Sequence, residues 1–299
     1  MQLTTMKCPA CGASVSVTED TKQFQCEYCK NTINIIKPVE IENKFVEGLT
    51  ELQNQQFGNY VSILQQAMLA GNYFEAYNYC NKALEINPKA GGIWENKSIC
   101  SFWLSSTKQF EEDKAIEIVT YLNASRQSDP NSPTFENTCK DIANNLYKVI
   151  VYLYQSFTYD NIIIGQAGAT RISGYKPETL KQMLAYMRLL EVCYQIYPDT
   201  LFLKEYVTAI TNGRGVNWIK YSNSKTREYM NTPEATYNNF DAAMKRYNLI
   251  LKIRDIEPDY VPPEQAIRKS TKTRDLIIVA AVIVGFILMM VLCSVLGKN

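Results

Sequence analysis

Gly71-Asn72-Tyr73-Phe74-Glu75-Ala76-Tyr77-Asn78-Tyr79-Cys80-Asn81-Lys82-Ala83-Leu84-Glu85-Ile86-Asn87-Pro88 assigns the chain to the mainly α class. Tyr73, Ala76/Tyr77, Cys80 and Ala83/Leu84 recur at spacings of three and four, which lines up one apolar stripe on a helix. Gly71 supplies a turn, and Asn72 is a residue type whose side-chain oxygen caps the first free N–H groups. Asn87-Pro88 ends the helix, because proline cannot continue it.

Working outward, the spacing places further helices across residues 57–265. A polar–apolar stretch from Ile41 to Ala70 has few breakers. Ser132-Pro133 predicts a helix start, and Phe135, Cys139, Ile142, Leu146, Val149 and Leu153 then form a core-facing stripe. Pro177 opens another helix with Leu180, Leu184, Met187, Leu190 and Tyr194 on one side. Asp199 caps the next, Asn212-Gly213 marks its end, and Thr232-Pro233 begins a helix running to about Ile256. Gly165-Gln166-Ala167-Gly168-Ala169-Thr170 and Gly213-Arg214-Gly215 read as turns, because neither has the lysine or the strand–turn–helix setting of a phosphate loop. Cys80, Cys100, Cys139 and Cys193 fall on apolar stripes and read as small buried hydrophobes.

The 57–90 unit resembles a tetratricopeptide repeat: Gly71, Tyr73, Ala76, Ala83 and Pro88 match its second half, and Trp94 sits where a following repeat would place its aromatic residue. Later helix-ending prolines, Pro130, Pro198 and Pro258, keep no 34-residue period. The resemblance therefore implies one repeat-like unit within an α-helical array, with residues 37–56 as a linker or first helix.

The N-terminus carries two C-x2-C pairs, Cys8-Pro9-Ala10-Cys11 and Cys26-Glu27-Tyr28-Cys29. Two such knuckles bring four sulfurs into a tetrahedron, the geometry of structural zinc. A segment this short cannot bury enough surface to fold unaided, so a metal or disulfides must staple it. Two disulfides are the competing chemistry, disfavoured in the cytosol. Ala13–Val17, Phe24 and Ile33, Ile35 and Ile36 predict short strands around the knuckles. Within the 1–36 unit, residues 6–36 resemble a zinc ribbon, with Cys8, Cys11, Cys26 and Cys29 at the ligand positions. The resemblance implies one structural Zn²⁺ in a closed site. Cys26→Ser is expected to unfold the ribbon and to leave helical circular dichroism largely intact.

Leu276–Leu296, LIIVAAVIVGFILMMVLCSVL, contains no charge. As a helix it would be about 31 Å long, which matches the hydrocarbon thickness of a bilayer. Arg268, Lys269, Lys272 and Arg274 precede it in a basic stem, 266–275, which predicts a cytosolic N-terminal bulk and a tail-anchored, single-pass protein. Ala281 and Gly285 have the small-xxx-small spacing that lets helices pair, hence a candidate homo-oligomer contact.

Composition excludes several functions. The 299 residues carry 31 Lys+Arg, 30 Asp+Glu and no His, so Ser-His-Asp and Cys-His catalysis and His-ligated metals are ruled out. Lysines and carboxylates balance within the ribbon, and the middle is slightly acidic, which argues against phosphate binding. No nucleophile–base constellation stands out, and the chain reads as a non-enzyme. The expectation is a membrane-anchored, zinc-binding adaptor for protein–protein interactions, its partners unidentified beyond the lipid bilayer met by 276–296. Two alternatives from other classes are a membrane-tethered nucleic-acid-binding regulator and an oligomerising membrane effector in stress or antiviral response.

Overall fold

The structure, a computed structural model, describes residues 3–18, 20–41, 46–105, 112–155, 162–167, 170–175, 177–215 and 239–263. Strand β1 (Leu3–Lys7) pairs antiparallel with β2 (Ser14–Thr18), Thr5 opposite Ser16. Strand β3 (Gln23–Gln25) pairs antiparallel with β4 (Thr32–Asn34), Phe24 opposite Ile33. Helices follow: α1 (Glu51–Leu69), α2 (Tyr73–Ile86), α3 (Gly91–Leu104), α4 (Glu112–Ser128) and α5 (Phe135–Gln155). A hairpin of β5 (Ile162–Ala167) and β6 (Thr170–Tyr175) precedes α6 (Pro177–Ile196), α7 (Thr200–Gly215) and α8 (Asn239–Arg254). Helix α1 packs on α2, α2 on α3 and α3 on α4 and α5; α6 packs against α4, α5 and α7, and α7 against α8. The protein is thus mainly helical with small antiparallel hairpins.

The stripe on α2 faces the core as its spacing requires: Tyr73, Ala76, Cys80, Ala83 and Leu84 are all buried. The Asn72 side chain accepts from Glu75 N–H at 3.3 Å, and Asn87 is the C-cap. Gly71 adopts φ +71, and a Cβ there would lie 3.1 Å from Thr4 Cγ2 and 3.5 Å from the Thr5 carbonyl, so the α1–α2 turn touches β1 directly. On α5, Cys139, Ile142, Leu146 and Val149 are buried, with Phe135 and Leu153 packed at the margins. Met187 and Leu190 of α6 are buried and Tyr194 packs against the core, while Asp199 caps α7 by accepting from Leu201 N–H. Cys80, Cys100, Cys139 and Cys193 are buried, unbridged thiols.

Several expected boundaries shift. Helix α1 does not extend back toward Ile41; it starts at Glu51, where Thr50 and Gln53 form a reciprocal capping box. The chain before it is tied by Asn54, whose side chain bonds Val46 N–H and the Val46 and Leu49 carbonyls. Residue 56 therefore lies inside a helix. Helix α5 starts at Phe135, two residues beyond Pro133, and α7 runs through Asn212-Gly213 to Gly215 instead of turning there. Gly165, Gln166, Ala167 and Thr170 are strand residues, the β-branched run Ile162–Ile164 having set the local preference. The β-layer also begins earlier than expected, at Leu3, and of the three isoleucines near its end only Ile33 lies in a strand. The Thr232-Pro233 start, the basic stem 266–275 and the 276–296 span with Ala281 and Gly285 lie outside the described residues. No helix among the described residues is long and apolar enough to cross a membrane.

A charged cluster braces α2, α3 and α4. Glu117 Oε1 accepts from Tyr77 (3.0 Å), Ser101 (2.9 Å) and Tyr121 (2.9 Å), and Oε2 pairs with Lys114 at 2.7 Å. The buried Lys97 ammonium sits 4.2 Å from the Tyr121 ring centre, 5.0 Å from Trp94 and 5.3 Å from Tyr77. Burial opposes ionisation of Glu117, but the donors, Lys114 first, outweigh it and hold its pKa at about 2. A carboxylate held below its ordinary value stabilises the fold above that ordinary range, and the contribution disappears as pH falls through about 2. Glu117→Gln should accordingly lower stability at neutral pH by about 1–2 kcal/mol, a figure discounted for solvent screening. It should also flatten the acid limb below the ordinary glutamate pKa of 4.5, as read from melting midpoints against pH.

Candidate metal centre

Both knuckles follow the same local logic. In the first, Cys8 N–H bonds the Ala13 carbonyl and Gly12 N–H bonds the Cys8 carbonyl, both at 2.8 Å. In the second, Cys26 N–H bonds Asn31 O at 2.9 Å and Lys30 N–H bonds Cys26 O at 2.8 Å. The residue after each pair takes a left-handed conformation, φ +75 at Gly12 and φ +61 at Lys30. Glycine meets that demand without strain, whereas lysine adopts it against its Cβ. The tight turns aim backbone donors at sulfur: Cys11 and Ala10 N–H groups at Cys8, Cys29 and Tyr28 N–H groups at Cys26.

The four sulfurs converge. Cys8 Sγ lies 3.7 Å from Cys29 Sγ, Cys11 Sγ lies 3.6 Å from Cys26 Sγ, and all four are within 4.8 Å of one another. Sulfurs about 2.3 Å from a tetrahedral zinc would be about 3.8 Å apart, whereas a disulfide needs about 2.05 Å. All four are free cysteines, Cys8 and Cys26 buried and the other two half-buried. The cluster can therefore hold a metal ion, and among the described residues it is the only grouping of potential ligands that can. The thiols differ in acidity. Burial pushes Cys8 up, and burial likewise raises Cys29. Burial also works against Cys26, but the Cys29 and Tyr28 N–H groups and the neighbouring sulfurs prevail and bring it to about 7.

The centre is fastened to the helices by contacts that spacing did not reveal. The β3–β4 ladder is flanked by the Cys26–Asn31 and Ile35–Lys22 bonds, so the alternation of an antiparallel pair turns the Asn34 N–H and C=O away from β3. Asn145 of α5, fully buried, meets both: its Oδ1 accepts from Asn34 N–H at 2.9 Å and its Nδ2 donates to the Asn34 carbonyl at 2.9 Å. Asp141, one turn earlier on α5, accepts from the Asn34 side chain at 3.0 Å. Buried Asn96 of α3 repeats the device on Val39, accepting from its N–H at 2.7 Å and donating to its carbonyl at 3.0 Å. Tyr152, also on α5, lies near the sulfurs; burial and then the Cys29 and Cys11 charges push its hydroxyl up. Met6, Val17, Ile33 and Ile36 belong to the same buried core as Leu64, Ile93, Phe102 and Ile142. Tyr28, at the tip of the second knuckle, is exposed.

No family model matches the chain, and neither the curated proteins nor the solved structures contain a match to it.

Proposed function

We propose that the protein is a membrane-anchored, zinc-stapled adaptor that presents a helical surface to other proteins on the cytosolic side of a bilayer. The observation that carries this reading is the four-sulfur cluster locked onto a stack of consecutively packed helices. Its 3.6 and 3.7 Å sulfur separations suit Zn²⁺ held by Cys8, Cys11, Cys26 and Cys29. Zinc bound by four thiolates is a crosslink with no open coordination position, so the metal would serve shape and not chemistry. The α1–α2 hairpin, with its Gly71 turn and the Trp94 that follows on α3, is what a tetratricopeptide-like unit requires, and stacked helix pairs of that kind offer extended binding surfaces. The uncharged run 276–296 and the basic residues before it supply the anchor.

Full-length protein should fractionate with membranes, carry one zinc per chain by elemental analysis, and retain discrete protein partners when affinity-purified in mild detergent. Recovery in the supernatant after lysis without detergent would overturn the anchor, and metal-free protein would overturn the zinc assignment. Salt-sensitive recovery of nucleic acid in place of proteins would replace the adaptor by the nucleic-acid-binding alternative.

A further inference from the structure

Helix α8 is apolar on two sides. Leu249, Ile250 and Ile253 are buried against the protein, yet on the outer side Met244, Tyr247 and Leu251 recur at spacings of three and four while remaining 46%, 57% and 43% exposed. Beyond the helix, Ile256 and Val261 are each 57% exposed. A helix that is hydrophobic on opposite sides is ordinarily covered on both, and clustered exposed apolar side chains mark contact with a partner or a membrane.

We propose that this outer face of α8 rests in the headgroup–acyl boundary of the bilayer that holds residues 276–296. The proposal builds on the anchor reading above. Pro263 closes the described chain and Leu276 begins the uncharged run. Arg254 Nε donates to the Tyr260 carbonyl at 3.2 Å, which folds the following segment back on the end of α8. From Pro263 the fully extended chain reaches Leu276 within about 45 Å, so the helix is tethered within roughly that distance of the lipid. The composition of the face fits an interface: Tyr247 pairs an apolar ring with a polar tip, and Leu251 and Met244 supply buried area. Lys252 and Arg254 lie in the last turn, and Arg268, Lys269, Lys272 and Arg274 follow. Asp255 and Asp259 partly offset these cations, while Glu257 is held by Thr200 and Lys204 at 2.6 and 2.5 Å. Apolar insertion, more than attraction to anionic headgroups, therefore sets the docking, which should persist in phosphatidylcholine.

The test uses full-length Tyr247→Trp protein reconstituted into phosphatidylcholine vesicles with or without brominated acyl chains. Interfacial side chains sit about 5–10 Å into the boundary, so the emission added by this Trp, taken as the difference from the parent protein, should fall about twofold with brominated lipid. Adding Met244→Glu and Leu251→Glu, both at exposed positions that leave the core intact, should abolish the quenching while the protein still floats with the vesicles. Failure to float removes the anchor reading and this proposal with it. Flotation without quenching overturns the docking and leaves the anchor standing. Crosslinks between copies through position 247, independent of lipid, would assign the face to a second copy and overturn it equally.

Discussion

Removing the zinc proposed for the four-thiolate cluster, by chelation or by Cys26→Ser, is expected to lower the melting midpoint of the helices as well as to unfold the ribbon. Structural zinc supplies about 10–16 kcal/mol of apparent binding energy at neutral pH, comparable with the whole stability of a domain. Without it the β3–β4 hairpin loses the crosslink to the first knuckle, and the Asn145 bracket and the packing of Ile33 must hold it alone. The Asn145 amide and the cavity around Ile33 then become exposed together as the hairpin loosens. Sequence spacing alone placed the ribbon apart from the helices, and on that basis helical circular dichroism was expected to survive Cys26→Ser. The shared core changes the expectation. Met6, Ile33 and Ile36 pack with helix side chains, and losing their contacts together with the Asn145 bracket costs at least about 4 kcal/mol. At roughly 2–4 °C per kcal/mol for a chain of this size, the helical transition should drop by about 10 °C. Helical ellipticity followed through a thermal scan, with zinc quantified in parallel, measures it. An unchanged midpoint in metal-free protein would mean that the two layers melt independently.

Asn145→Ala should destabilise the protein by about 2–4 kcal/mol while leaving zinc stoichiometry unchanged. The substitution removes the partners of one backbone N–H and one C=O, each of which costs about 1–3 kcal/mol when buried and unsatisfied. The four thiolates lie elsewhere and keep their geometry, so metal content separates loss of docking from loss of ligation. Denaturant midpoints of parent and variant, with elemental analysis of each, give both readouts. Asn145→Asp keeps an acceptor for Asn34 N–H but loses the donor to its carbonyl and buries a charge, so it should rescue little.

What was legible in the sequence was what short spacing controls. The C-x2-C pairs declared four converging sulfurs, because a knuckle is built from residues within a few positions of one another. Asn72, Asp199 and the α2 and α5 stripes were likewise local and were found where expected. The residues that fasten the centre were not local: Asn145 lies 111 positions from Asn34, and Asn96 lies 57 from Val39. Their one signal was a polar amide inside an apolar stripe, Asn145 beside Leu146 and three after Ile142, where an unpaired side chain would be costly. Glu117 gave less warning still: Lys114 and Tyr121 lie within about one turn of it on α4, but Tyr77 and Ser101 reach it only after α2 and α3 have packed with α4. The β5–β6 hairpin was missed because the glycines around position 165 suggested a turn more strongly than Ile162–Ile164 suggested a strand.

The asparagine bracket on Asn34 also bears on how densely this protein can be crowded. A two-stranded ribbon ordinarily leaves a row of open backbone groups that another molecule's strand can zip onto, the usual seed of fibrous self-association. With an amide side chain occupying both valences of Asn34, that margin is retired at its innermost position. Of the three residues of β4, only Thr32 then still turns open backbone groups outward, too short a margin to template runaway sheet growth.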